Sequence, residues 1–199
     1  MKINQKTMKL TTMGILTALI ILMSFTPIGY LKVGIIEITF LMIPVIIGGI
    51  IEGPLGGLYC GTIFGITSFI QCFGLSAFGS MMMTISPFLA FVTCVPTRML
   101  TGLLVGLIFK AINKKSEKDT VPVLITCLVG PLINTILFTS CVFLFFRNAE
   151  MLQSINNGNN IIIFIGAFAG INGLIECLVA FLIGSAIGKA LLILIKKMH

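Results

Sequence analysis

The chain has 199 residues, a formal net charge of +7, 57% hydrophobic residues and only 10% charged ones. A soluble domain carries about 25% charged residues, so the composition excludes an ordinary soluble globule and points to an all-α integral membrane protein. No linker or shift in composition divides the chain, and residues 1–199 read as a single membrane domain.

Six membrane segments are predicted. The first covers Met8–Thr26 and closes at Pro27 and Gly29. It follows a basic N-terminus, as a signal peptide would, but no small-residue cleavage site succeeds it, so a retained helix is expected. Tyr30–Phe40, "YLKVGIIEITF", is β-branched and carries Lys32 and Glu37. A partly extended loop is expected there, and such backbone survives at membrane depth only when packed on protein or lining a cavity. The second segment, Thr39–Ile51, contains Pro44 and is short for a crossing. "EGPLGG", Glu52–Gly57, reads as a turn. The third segment is Leu55–Phe73, and Gly74–Ser86 reads as a second loop. The fourth is Pro87–Ile112, followed by the polar stretch Asn113–Thr120. The fifth is Val121–Phe146, followed by the polar loop Arg147–Asn160. The sixth is Ile161–Ile195.

An even number of crossings places three basic groups on one side. These are Lys2, Lys6 and Lys9; Lys110, Lys114, Lys115 and Lys118; and Lys189, Lys196 and Lys197. By the positive-inside rule that side is cytoplasmic, so both termini are expected inside. The opposite side holds Lys32 and Arg147. The basic surplus therefore sets topology and is no argument for nucleic acid.

Several chemistries find no residues here. There is no GxxxxGK[ST] phosphate loop in the sequence. The one histidine is His199, which leaves no Ser-His or Cys-His pair within the apolar segments. No carboxylates sit at a catalytic spacing. The six cysteines, Cys60, Cys72, Cys94, Cys127, Cys141 and Cys177, lack metal-ligand spacing and read as small buried thiols. No catalytic residue, metal site or resident cofactor is expected.

Polar residues within membrane segments are costly and tend to be functional. Four stand out: Arg98, Asn134, Asn172 and Glu176. Arg98 lies twelve residues from Ser86, Asn134 twelve from Phe146, and Asn172 twelve from Asn160. Each therefore sits about 18 Å below the outer end of its segment, at 1.5 Å per residue. Asn172 and Glu176 are four apart and share a face, as do Thr67 and Gln71 on the third segment. Pro96 and Pro131 precede Arg98 and Asn134 and release the carbonyls of Val92 and Cys127. Two readings of Arg98 follow. It pairs with Glu176 and locks two helices, or its guanidinium fork takes a ligand carboxylate while the asparagine amides meet neutral groups of the same ligand.

The residues also resemble a known family. Ile36–Phe69, "IEITFLMIPVIIGGIIEGPLGGLYCGTIFGITSF", is similar to many S components of energy-coupling factor (ECF) transporters. "VPTRMLTG" followed by "GPLINT" resembles the pantothenate-specific branch. The resemblance implies a compact six-helix bundle that binds a vitamin from outside. It implies assembly with a transmembrane coupling protein and two ABC-type ATPases, which use the ATP that this chain does not. It implies that Arg98 and Asn134 hold the substrate; Asn172, Glu176, Gln71 and Thr67 are further candidates by their position in the segments, apart from the resemblance. It also implies docking through small residues on the first helix, here Gly14 and Ala18 in "GILTA". "GSAIG", Gly184–Gly188, is a second small pair, expected to pack within the bundle.

One cation, a few amides and apolar walls suit pantothenate, which carries a carboxylate, an amide and two hydroxyls. The absence of Trp and the presence of only two Tyr argue against flat-ring vitamins. Another small vitamin or precursor, a stand-alone ion-coupled transporter with Glu176 as its proton site, and a non-transport assembly or sensor protein remain open.

Overall fold

Apolar residues face both ways along this chain, inward to a core and outward to where lipid would lie. A computed structural model describes residues 5–33, 36–114, 120–146, 170 and 173–190, apart from the side chains of 5, 31–33 and 36–37. Helix α1 (Gln5–Ser24) leads into strands β1 (Tyr30–Val33) and β2 (Ile36–Thr39). Helices α2 (Met42–Ile51), α3 (Gly53–Gln71), α4 (Ala77–Ile85), α5 (Pro87–Asn113) and α6 (Thr120–Phe146) follow. The last is α7 (Gly173–Ala190). Among the described residues, α1, α3, α5, α6 and α7 are each long and apolar enough to cross a membrane. Their outer faces carry exposed Leu10, Ile15, Leu55, Phe88, Ile136, Leu144, Leu174 and Leu182. An all-α membrane protein is the result, with one short hairpin inserted.

The expected extended stretch after the first helix is that hairpin. β1 and β2 pair antiparallel, with Tyr30 opposite Thr39 and Lys32 opposite Glu37. The second predicted segment contracts to ten residues, because Thr39 ends β2 and Phe40 and Leu41 join it to the helix. Two expectations are corrected. Glu52–Gly57 is not a free turn: the reversal is confined to Glu52 and Gly53, whose φ is +69°, and α3 starts there with Pro54 in its first turn. A proline near a helix start loses no bond, since the first N–H groups have no intrahelical partner. Gly74–Ser86 is not all loop, because α4 forms within it. The Ser76 hydroxyl caps it by accepting from the Gly79 N–H at 3.1 Å. The interior prolines Pro96 and Pro131 do not end α5 or α6. The polar loop Arg147–Asn160 and the start of the sixth predicted segment lie outside the described residues.

Backbone contact without side chains builds the centre of the bundle. A Cβ on Gly57 would come 2.1 Å from the Gly102 carbonyl oxygen, and one on Gly102 would come 2.0 Å from that of Gly57. One turn outward, a Cβ on Gly61 would come 2.3 Å from the Arg98 carbonyl oxygen. No other residue allows so close an approach, so the glycine row Gly57, Gly61, Gly65 fixes α5 against α3. Nine consecutive residues of α2, Met42 to Ile50, are buried beneath this pair. The main core joins them to Leu16, Ile20, Phe64, Val105, Val123, Cys127 and Ala180.

In α7 the buried positions are Gly173, Glu176, Cys177, Ala180, Gly184 and Gly188, and from Glu176 on they recur every four residues. Steps of four drift about 40° per step around an α-helix of 3.6 residues per turn. The π-helical turn at Ala180–Gly184 cancels that drift and keeps one face inward. Gly184 then meets Cys127 Sγ and Gly188 meets Val123, so this small pair packs within the bundle as expected.

Lys9, Lys110 and Lys189 lie near one end. Lys9 Nζ lies 3.1 Å from Glu52 Oε2 at the α2–α3 joint. Gly106, four residues before Lys110, packs on Pro54 of the same joint, and Gly188, beside Lys189, packs on Ile50. The hairpin and α4 occupy the other end, where Tyr30 Oη and Ser68 Oγ are 3.3 Å apart.

Candidate functional site

Arg98 projects from the middle of α5, where Gly61 lets the two backbones touch. Its guanidinium carbon lies 4.6 Å from the Phe64 ring centre on α3 and 5.1 Å from that of Phe138 on α6. Two aromatic faces thus hold the cation in place of water. One guanidinium nitrogen, NH1, donates to the Cys94 carbonyl at 3.1 Å, and Nε has no hydrogen-bond partner. The side chain is buried, 8% exposed.

Asn134 and Glu176 are buried as well, at 5% and 6% exposure. Glu176 Oε1 accepts the backbone N–H of Thr39 at 3.0 Å, and its Oε2 has no partner. Cys177 donates to the Leu128 carbonyl at 3.4 Å, and Gly173 abuts Thr135. Glu176 therefore lies beside the stretch of α6 that carries Asn134. Asn134 Oδ1 has no partner either, and nor has Thr93 Oγ1, which is wholly buried.

Arg98 and Glu176 are within electrostatic range of each other but make no ion pair within 4.0 Å; among the described residues Lys9–Glu52 is the ion pair. The helix-locking alternative therefore lacks its contact. Buried polar atoms are nearly always hydrogen-bonded. Here one donor, Arg98 Nε, and acceptors on Asn134, Glu176 and Thr93 are left open within one bundle. A ligand that matches them presents an anion or other acceptor to Arg98 and hydroxyl or amide donors to the rest.

The other candidates divide. Thr67 and Gln71 point their polar atoms at α1. Ser24 Oγ donates to Thr67 Oγ1 at 2.9 Å, and Gln71 Nε2 donates to the Ser24 carbonyl. Both pin the end of α1 to α3. Asn172 lies outside the described residues. Gly14 and Ala18 are exposed on α1, and a Cβ on Gly14 would meet nothing within 4 Å. With Ile15, Leu19 and Leu22 they leave one face of α1 bare.

Sequence reading passed over Phe64, Phe138, Thr93 and the Thr39 N–H. It also passed over the glycine row, although the spacing of Gly57, Gly61 and Gly65 is a readable helix-packing signal.

Comparison with known proteins shows the family. Residues 8–188 match the family model described as "ECF transporter, substrate-specific component". The chain is also 29% identical over 163 residues to the pantothenic acid transporter PanT of Lactococcus lactis subsp. cremoris (strain MG1363), across 77% of this chain and 76% of that protein. A family of transporter components, not of enzymes, accounts for a bundle whose polar interior offers binding atoms. The chain belongs to the family of substrate-specific components of ECF transporters.

Proposed function

We propose that this chain is the high-affinity pantothenate-binding subunit of an ECF uptake transporter in a bacterial plasma membrane. The observation that carries the reading is Arg98: a buried guanidinium between Phe64 and Phe138, with Nε open and no ion pair to Glu176. Its fork takes the pantothenate carboxylate. The open oxygens of Asn134 and Glu176 take donors from the amide and hydroxyls. The 29% identical relative named for pantothenic acid supports the same substrate.

The basic end, with Lys9, Lys110 and Lys189, faces the cytoplasm, and the hairpin end admits substrate from outside. The bare face of α1 docks on a transmembrane coupling protein, with Gly14 and Ala18 allowing close approach. Two ABC-type ATPases on that module supply the ATP-driven step, so this chain itself requires no cofactor.

Calorimetry of the purified chain with a panel of vitamins tests the reading. Pantothenate is expected to bind without ATP. Heat with another vitamin and none with pantothenate overturns the substrate. Uptake by this chain alone that collapses with the proton gradient overturns the division of labour.

A further inference from the structure

Cys72 and Cys94 belong to different helices, the C-cap of α3 and the outer half of α5, yet their Sγ atoms are 3.7 Å apart. Both are buried, at 3% and 2% exposure. Among the described residues no other two cysteine sulfurs are in contact. Cys72 also donates to the Ser68 carbonyl at 3.3 Å. Gly79 of α4 lies directly over it, where a Cβ would come 2.8 Å from Sγ. On the other side, the Cys94 carbonyl is the group that holds Arg98 NH1. The pair thus sits between the outer surface and the arginine. Phe73, next to Cys72, is 68% exposed, so the surface is one residue away.

We infer that Cys72 and Cys94 form a dithiol modification site, oxidised by peroxide to a disulfide that clamps the outer end of α3 to α5 and weakens ligand capture. One thiolate attacks a peroxide oxygen and becomes a sulfenic acid, while the departing oxygen takes up a proton and leaves as water or an alcohol. The second thiol attacks the sulfenic sulfur, the S–S bond forms, and a water molecule leaves. Two electrons pass from the thiols to the peroxide. A disulfide is about 2.05 Å long, so the sulfurs close from 3.7 Å by more than about 1.5 Å. That movement draws on the turn of α5 whose carbonyl positions the guanidinium. The effect on capture rests on the pantothenate reading, whereas formation of the bridge does not.

The full chain in detergent is treated with hydrogen peroxide, then denatured, alkylated, digested and read by mass spectrometry. The expected product links the Cys72 and Cys94 peptides with loss of two hydrogens, and dithiothreitol reverses it. Calorimetric affinity for pantothenate is expected to fall at least about threefold and to return on reduction. The Cys72→Ser variant is expected to keep its affinity through the same treatment. Recovery of both residues as alkylated thiols while the half-buried Cys141 is oxidised overturns the proposal. So does sulfinic acid without a link, or a link with unchanged affinity. A chain that bridges but binds no pantothenate even when reduced refutes the ligand and upholds the dithiol.

Discussion

Glu176 on α7 accepts the backbone N–H of Thr39 at 3.0 Å, and 137 residues of chain separate the two. The hairpin therefore hangs from the same carboxylate that offers its second oxygen to the interior. On the proposed function, ligand at that oxygen and hairpin position are coupled through one side chain.

Glu176→Gln keeps an oxygen for Thr39 but loses the charge. Charged acceptors bond about twice as strongly as neutral ones, so affinity is expected to fall about tenfold. Glu176→Leu removes both bonds and is expected to raise the ligand off-rate further, as stopped-flow release would show. Wild-type release from Glu176→Leu would detach the carboxylate from both roles.

Arg98→Ala is expected to abolish binding in calorimetry while circular dichroism and gel filtration stay unchanged. Arg98→Lys is not expected to rescue it, since an ammonium lacks the planar fork. An Arg98→Ala chain that unfolds, and is restored by Glu176→Ala, would make the arginine a structural partner of the glutamate instead.

Gly61→Val drives a side chain into the Arg98 carbonyl, which a bare Cβ already meets at 2.3 Å. Overpacking of this kind costs about 1–3 kcal/mol or more. A lowered thermal midpoint in detergent and lost binding are expected together. Gly14→Ala is the control: nothing lies within 4 Å of that position, and alanine is the better helix former, so its midpoint is expected at or slightly above the wild type.

Gly14→Trp and Ala18→Trp alter a face of α1 that touches nothing in this chain's core. Ligand affinity is expected to hold, while uptake in cells carrying the whole transporter drops to background. Undiminished uptake would remove α1 as the docking surface.

The sequence made Arg98, Asn134 and Glu176 legible because a polar group in an apolar run contrasts with its neighbours. Phe64 and Phe138 offered no such contrast, since the chain has 16 phenylalanines and 57% of its residues are hydrophobic. The Thr39 N–H is backbone and carries no letter of its own. Helix α4 hid because it has only nine residues between Gly74 and Ser86, too short a stretch for an apolar pattern to separate from a loop. Thr67 and Gln71 had the right spacing for a shared face, but spacing does not say which neighbour that face meets, and here it is Ser24. The ion-pair alternative had the right charges, and only the structure could show that the contact is not made.

Helix α2 has ten residues, a length of about 15 Å, roughly half of a hydrocarbon layer about 30 Å thick. In the proposed six-crossing topology the hairpin supplies the other half of that crossing. Strand edges in such a setting find no water, so each N–H and carbonyl needs a protein partner. In that topology the carboxylate that receives Thr39 is also a structural plug, replacing solvent for a strand end at membrane depth. A helix with nine consecutive buried residues has no lipid side to which a polar substitution could turn. Variation along Met42–Ile50 should accordingly be tolerated as in the core of a water-soluble protein, by volume and shape, whereas α1 can exchange one greasy side chain for another across most of its bare surface.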